Sequence, residues 1–531
     1  MKKILFLLLA VLAGLPAGAI DQVSYDVVPL PRQVNLTGKA PFVLDTTTVI
    51  VVPEDDEQLT ADAFFLSQYV ADITPLHLAV SYTKHKKAIR LMLDPKIENK
   101  EGYRIDISAK GIVIAGKTSA GVFYGIQTLR KSIPVTKEAQ IAFPSAQIED
   151  QPRFAYRGMH LDCSRHFFPA DVVKRYIDLL ALHNMNTFHW HLTDDQGWRL
   201  EIKKYPQLTE KGSVRSETVL GHNSDVMDGR PHGGIYSQEV ARDIVRYAAQ
   251  RHITVIPEID MPGHMLGVLT AFPELGCTGG PYELWKIWGV SEDVLCLGNE
   301  KVYDMMQDIL AEVMDIFPSA YIHLGGDESP TARWEQCPKC RKLMAEHQLT
   351  PHTVQSYFTN RMEKFINGKG RRIIGWDEIL EGPVTKDAVV MSWRGARPGM
   401  EAAMKGHDVI MTPNDFAYFD YYQTPDRDAE PLLIGGNVPV EKVYGFEPCA
   451  KELSPEACKH ILGVQANLWT EYIPYEKLIQ YQVLPRMAAL SEVQWMQPEQ
   501  KDFGAFKQRV SRLARLYDAY RLVYARHLWK R

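Results

Sequence analysis

Asp327 and Glu328 stand side by side at the end of the segment Ala320-Tyr-Ile-His-Leu-Gly-Gly-Asp-Glu-Ser329. An apolar strand that runs into two glycines must turn sharply or let something approach its backbone closely. A carboxylate pair just beyond a buried strand is costly unless it has partners. Acid–base chemistry is one use for such a pair, and capping of the next helix is the plain structural alternative.

The elements needed to hold the pair decide between these readings. From Tyr156 onward short strands alternate with polar or glycine-rich loops and helices, and eight strands are expected, over 157–163, 187–192, 253–259, 321–324, 372–376, 389–393, 409–412 and 462–468. Helices fit between most of them, over 170–183, 237–251, 301–317, 352–368 and 399–405. This is the pattern of a (β/α)8 barrel, a TIM barrel, enlarged by loop insertions beyond the roughly 250 residues typical of the fold. A doubly wound open sheet is the rival, but no glycine-rich dinucleotide or phosphate loop follows the first strand.

Active sites of such barrels sit at the carboxyl ends of the strands. Just past those ends come Arg165; Asp194, Asp195 and Trp198; Asp260 and His264; Asp327 and Glu328; Trp376, Asp377 and Glu378; Trp393 and Arg394; Tyr418 and Asp420; Trp469 and Glu471. Indoles suit the C–H faces of a sugar ring, and carboxylate, histidine and arginine suit its hydroxyl edges. Trp376, Trp393 and Trp469 could wall one ring, while Arg165, Asp194, His264, Asp420 and Glu471 could hold hydroxyls. Any one tryptophan could equally be core, and any one charged residue half of an ion pair.

Two-carboxylate glycoside hydrolysis needs carboxyl groups about 5–9.5 Å apart across the ring. Neighbours on one strand end do not obviously straddle a sugar. A division of labour fits better, with Glu328 protonating the leaving oxygen and Asp327 orienting a nucleophile carried by the substrate. Glu328 must then hold a proton near its working pH, so burial and Asp327 are expected to raise its pKa.

The runs Leu-Asp-Cys-Ser-Arg-His-Phe-Phe (161–168), His-Trp-His-Leu-Thr-Asp-Asp-Gln-Gly-Trp-Arg (189–199), Pro-Glu-Ile-Asp-Met-Pro-Gly-His (257–264), His-Leu-Gly-Gly-Asp-Glu (323–328) and Leu-Trp-Thr-Glu (468–471) resemble glycoside hydrolase family 20, the β-N-acetylhexosaminidases. The resemblance covers about residues 22–500 and is looser before the barrel. It implies removal of terminal non-reducing β-linked N-acetylglucosamine or N-acetylgalactosamine with retention, through attack of the 2-acetamido oxygen on C1 and an oxazolinium intermediate. By the same resemblance Glu328 is the general acid/base and Asp327 orients the acetamido N–H. Arg165, Asp420 and Glu471 bind hydroxyls, and Tyr418 hydrogen-bonds the acetamido oxygen. Trp376, Trp393 and Trp469 form the pocket, and Asp194 and His264 support the acid. The loop between Cys277 and Cys296 resembles a disulfide-closed loop of the family. Linkage and aglycone preference rest on loops such as 221–234 and 426–436.

The rest of the 531 residues frame this site. Lys2, Lys3, an apolar run from Ile4 to about Leu15 and Pro16-Ala-Gly-Ala19 read as a removed signal peptide over 1–19, too short to span a bilayer, which takes about 20 apolar residues. Export to the periplasm or medium follows. Residues 20–150 read as a smaller α+β domain, 151–500 as the barrel and 501–531 as closing helices packed on it. Within the α+β domain, strands are expected over 42–52, 87–93, 103–107 and 111–115 and helices over 61–73 and 118–129. A formal net charge of −5 without a Lys/Arg block argues against nucleic acid and against a polybasic membrane surface.

Seven cysteines can pair in an oxidising compartment. Cys277 and Cys296 bracket one loop, Cys449 and Cys458 another, and Cys337-Pro-Lys-Cys340 could form a tight bridge or hold half a metal site. The metal reading lacks a second cysteine or histidine pair at zinc spacing nearby. Cys163 is left single and buried. Neither a metal nor a cofactor is expected, the partner being an N-acetylhexosamine-terminated glycan. One rival is a metal-dependent barrel hydrolase built on His189-x-His191 and Asp194, for which further ligands look thin. The other is a non-catalytic glycan-binding protein, against which Glu328 is the main argument.

Overall fold

The computed structural model describes residues 22–529, so the leader expected over 1–19 lies outside the described residues. The first part carries a mixed seven-stranded sheet in the order Gln33–Leu36, Ala146–Asp150, Tyr103–Ser108, Gly111–Gly116, Ala88–Leu93, Val49–Val51, Ala79–Ser81. Helices Glu57–Ile73 and Ser119–Ser132 pack on it and on each other. The side chain of Asp56 accepts from the Leu59 amide and starts the first of these helices.

The single strand expected over 42–52 is in fact two. Asp45 accepts from the amide and hydroxyl of Thr47 at 2.9 and 2.6 Å, a local turn that breaks the run. Phe42–Leu44 then pairs with Ile141–Phe143 in a separate two-stranded sheet, while Val49–Val51 joins the large one.

Among the described residues eight parallel strands close the barrel: Tyr156–Asp162, Thr187–His191, Thr254–Glu258, Tyr321–His323, Arg372–Trp376, Val389–Ser392, Val409–Met411 and Ile461–Ala466. Tyr156 beside Gly463 joins first strand to last. Each strand agrees with its expected position to within two residues. Period-two alternation sorts the side chains. Ile374, Trp376, Val389 and Met391 belong to an inner apolar cluster with Tyr418 and Trp469, whereas Ile373 and Val390 belong to the outer core shared with the helices.

Helices Ala170–Leu182, Gln238–Ala249, Glu300–Ile316, Val354–Asn367 and Ala396–Met404 fall where the apolar periodicity puts them. In the first of these, Val173, Tyr176, Ile177 and Leu180 form the buried stripe. The side chain of Ser237 caps the second by accepting from the Val240 amide. Arg157, fully buried in the first barrel strand, places both terminal nitrogens 2.8 Å from Glu101 and joins the two parts. The closing helix Phe503–Ala519 is held to the barrel by the buried Arg509–Glu492 pair, with bonds of 3.0 and 2.8 Å. The adjoining Tyr520 donates to Asp72 at 3.2 Å, so the tail touches the α+β part as well as the barrel.

Cys449 and Cys458 are disulfide-bonded. Cys277 and Cys296 are not bonded to each other, contrary to the expectation drawn from the resemblance. Both sulfurs lie in one cluster with those of Cys337 and Cys340, which supplies the second cysteine pair that the linear spacing does not reveal. Cys163 is buried and accepts from the Trp190 indole at 3.2 Å.

Candidate active site

The Gly325-Gly326 turn is dictated by Asp260. Gly325 has φ +65°, and a Cβ there would stand 1.8 Å from Asp260 Oδ1. That same oxygen accepts from the Gly326 amide at 3.0 Å. The chain therefore leaves the fourth strand in a left-handed turn pressed against the end of the third, and Glu328 itself has φ +43°. Such backbone persists where the surroundings over-determine it. His264, the residue that faces Glu328, is left-handed too, at φ +53°.

His264 organises the charges around the acid. Its Nδ1 lies 3.1 Å from Asp194 and 3.2 Å from Asp195, and its Nε2 lies 3.6 Å from Glu328 and 4.0 Å from Asp327. Burial works against a charged imidazole, but these carboxylates outweigh it and hold the His264 pKa well above the usual histidine value. His264 in turn lowers the pKa of Glu328, whose side chain is 43% exposed. The expected upward shift is thus reversed in the open site, because the hydrogen bond to His264 and the charge of its imidazolium outweigh the upward push of burial. Asp327 moves the other way. Burial, then Asp260, raise its pKa well above the usual carboxylate range, and its Oδ1 is buried without a hydrogen-bond partner among the described residues.

Arg165 occupies the opposite side of Asp194. One guanidinium nitrogen is 3.0 Å from Asp194, another 3.4 Å from Asp162, and Nε donates to Gln196 at 3.1 Å. Asp162 also accepts from the amides of Ser164, Arg165 and Thr470 at 2.7, 3.1 and 3.1 Å, which locks the first strand end to the eighth. The Arg165 guanidinium lies 5.0 Å from the ring centroid of Trp469, and the Trp469 ring is 5.9 Å from that of Trp376. Trp393 stacks on Tyr418 at 6.0 Å and donates its indole N–H to Glu378. Asp420 and Glu471 are close enough to Arg165 to feel its charge, and burial raises the pKa of both. Asp420 Oδ1, like Asp327 Oδ1, is buried without a hydrogen-bond partner among the described residues. The eleven residues expected from the sequence to catalyse or to bind the sugar therefore meet at one mouth.

Beneath them lies a layer centred on Glu258, which sequence reasoning did not assign. Glu258 is the last residue of the third strand and fully buried. Its carboxylate lies 2.6 Å from His191 Nδ1, 3.0 Å from His189 Nε2 and 3.2 Å from His323 Nδ1, and accepts from the Trp376 indole at 2.8 Å. Burial pushes its pKa up, but the imidazoles win and hold it well below the usual range. The expectation that ligands beyond His189 and His191 are thin is corrected here, since Glu258 and His323 stand beside them. In this arrangement the imidazoles surround a carboxylate that fixes the ring plane of Trp376. The inward period of the third strand is the signal that points to Glu258. Glu378, already named among the strand-end residues, stands at the mouth against Trp393, and burial, Asp327 and Asp377 raise its pKa to about 8.

The loops expected to govern the aglycone side interlock at the rim. His222 Nε2 is 2.7 Å from the Leu433 carbonyl, and Asn223 exchanges hydrogen bonds of 2.7 and 2.9 Å with the backbone of Trp288.

This constellation has relatives. Residues 154–498 match the model of the glycosyl hydrolase family 20 catalytic domain and residues 24–151 that of the same family's domain 2. A beta-hexosaminidase of Porphyromonas gingivalis is 42% identical over 497 residues, which are 91% of this chain and 62% of that protein. A beta-hexosaminidase of Vibrio furnissii is 37% identical over 89% of this chain and 77% of its own length. The family 20 exo-β-N-acetylglucosaminidase of Vibrio harveyi, solved with N-acetylglucosamine, superposes with a TM-score of 0.85 at 30% identity, over 96% of this chain and 80% of that one. With a catalytic-domain match across the whole barrel, the chain belongs to glycosyl hydrolase family 20.

Proposed function

We propose that the chain is an exo-acting β-N-acetylhexosaminidase that removes terminal non-reducing β-linked N-acetylglucosamine or N-acetylgalactosamine with retention. The observation that carries this reading is Asp327, a buried carboxyl group with one oxygen unpartnered among the described residues, directly before the half-exposed Glu328. A buried acceptor left without a donor is costly, and an acetamido N–H supplies the missing donor.

In the first step the acetamido oxygen attacks C1 and Glu328 gives its proton to the departing glycosidic oxygen. The bond from C1 to that oxygen breaks and an oxazolinium forms. Asp327 accepts the N–H as the carboxylate, the form that this donor and the positive charge growing on nitrogen favour over the protonated form that burial favours in the open site. In the second step Glu328, now a carboxylate, takes a proton from water as its oxygen attacks C1, and the ring reopens. In this reading Tyr418 hydrogen-bonds the acetamido oxygen, and Trp376, Trp393 and Trp469 enclose the group. Arg165, Asp420 and Glu471 bind the sugar hydroxyls. A sugar over Glu328 strips its water, and desolvation raises the pKa of a carboxyl group. Asp194 and His264 set the starting point of that shift.

The same reading takes the glycan as partner and the periplasm or medium as the place of work. Lys2, Lys3 and the following apolar run support export. No helix among the described residues is long and apolar enough to cross a membrane.

A matched set of aryl β-N-acetylglucosaminides with good and poor leaving groups tests the reading. Glu328→Gln should lose turnover of the poor leaving groups far more than of the good ones while still binding the sugar. Equal turnover by wild type and variant would remove Glu328 from the acid role, and a wild type without turnover would leave a binding protein.

A further inference from the structure

We propose that Cys277, Cys296, Cys337 and Cys340 form a structural tetrathiolate site for a zinc ion, tying the loop that supports His264 to the helices that follow Glu328. The four sulfurs all lie within 4.8 Å of one another. Cys277 Sγ is 3.8 Å from Cys340 Sγ, and Cys296 Sγ is 3.6 Å from Cys337 Sγ and 3.7 Å from Cys340 Sγ. A tetrahedron with Zn–S bonds of about 2.3 Å has S···S edges of about 3.8 Å, whereas a disulfide needs about 2.05 Å. The measured edges fit the first and not the second. In the same structure Cys449 and Cys458 are bonded, so the four sulfurs are not merely waiting in a pairing geometry.

The surroundings suit thiolates. Cys296, Cys337 and Cys340 are buried and Cys277 is half-buried. Cys337 precedes and Cys340 lies within the first turn of helix Pro338–His347, where the helix dipole favours negative charge, and their Cys-x-x-Cys spacing is that of structural zinc sites. The Gly298 amide donates to Cys340 Sγ at 3.4 Å. A Cβ on Gly298 would meet the Lys339 carbonyl carbon at 2.2 Å, so glycine is what lets that amide approach the sulfur.

What the site would hold follows from the chain path. Between Cys277 and Cys296, the amides of Trp285 and Ser291 donate to Asp195 at 3.0 and 3.4 Å, and Asp195 is a partner of His264. Between Glu328 and Cys337, the Trp334 indole donates to the Leu295 carbonyl at 2.9 Å. One ion would therefore lock together the two segments on either side of the His264–Glu328 contact. Binding exchanges thiol protons for the metal and needs no oxidant. Two disulfides are the alternative in an oxidising compartment.

The test uses the full chain purified without reductant or chelator. Zinc is quantified by mass spectrometry of the metal, and free thiols are counted by alkylation of the denatured, unreduced protein. The expected result is about one zinc per chain, with alkylation at Cys163, Cys277, Cys296, Cys337 and Cys340 and protection of Cys449 and Cys458. Exchange with Co2+ should give thiolate-to-cobalt charge-transfer absorption that Cys340→Ser loses. Should that variant not fold, the wild-type cobalt spectrum alone decides. Alkylation at Cys163 only, without zinc, would mean two disulfides and overturn the proposal. All five alkylated with no zinc retained after incubation with Zn2+ would overturn it as well.

Discussion

His264 Nε2 lies 3.6 Å from the Glu328 carboxylate while His264 Nδ1 is held by Asp194 and Asp195 at 3.1 and 3.2 Å. The acid of the proposed reaction is thus set from behind by a buried imidazole with two carboxylates of its own. A cation beside a carboxyl group favours its ionised form, so the Glu328 pKa is lowered in the open site.

The sign of a pH effect follows. The general-acid role requires protonated Glu328, and kcat/KM reports the free enzyme. Removing the cation in His264→Gln raises the Glu328 pKa, so the acid form survives to higher pH. The basic limb of the kcat/KM profile should move upward relative to wild type, together with a fall in the plateau. A limb that stays in place, or moves down, would separate His264 from the protonation of Glu328.

Asp327→Asn keeps the shape of the side chain but cannot accept from the acetamido N–H through an anion. Loss of one preorganised stabilising group costs roughly 100- to 1000-fold in kcat, and that loss should fall on N-acetyl substrates with good and poor leaving groups alike. Steady-state kinetics on the aryl series checks this. A loss confined to poor leaving groups would make Asp327 part of the proton transfer instead.

Gly325→Ala should unfold at a markedly lower temperature and lose activity. The left-handed φ costs about 1–2 kcal/mol for alanine, and the Cβ 1.8 Å from Asp260 Oδ1 adds a clash. Gly370→Ala is the control, since Gly370 has φ +75° with nothing within 4 Å of an added Cβ. Thermal melts of both should show the larger drop for Gly325→Ala. Equal drops would mean that the close approach to Asp260 carries no energy.

The barrel was legible because parallel strands covered on both faces read as short apolar runs, and eight of them were long enough to find. The mouth residues were legible because strand ends are where such barrels keep their chemistry. Glu258 was legible only as an inward-facing position of the third strand, because nothing in a single strand says that His189, His191 and His323 converge on it from neighbouring strands. The direction of the Glu328 shift escaped for a related reason. Its exposure and its distance from His264 are products of the left-handed turns at both residues. The four-cysteine cluster was hidden because its members come as two pairs on different loops, and linear spacing pairs each cysteine with its nearest neighbour. The break at Asp45 depended on one side chain bonding Thr47 rather than on hydrophobicity.

The central claim is that the substrate supplies the nucleophile and Asp327 manages it. The most direct measurement is the inhibition constant of a thiazoline that mimics the N-acetylglucosamine oxazoline, taken with wild type and with Asp327→Asn against an aryl β-N-acetylglucosaminide. The account predicts competitive inhibition of wild type much tighter than binding of the substrate, and marked weakening in the variant. No inhibition of wild type by the thiazoline would contradict it.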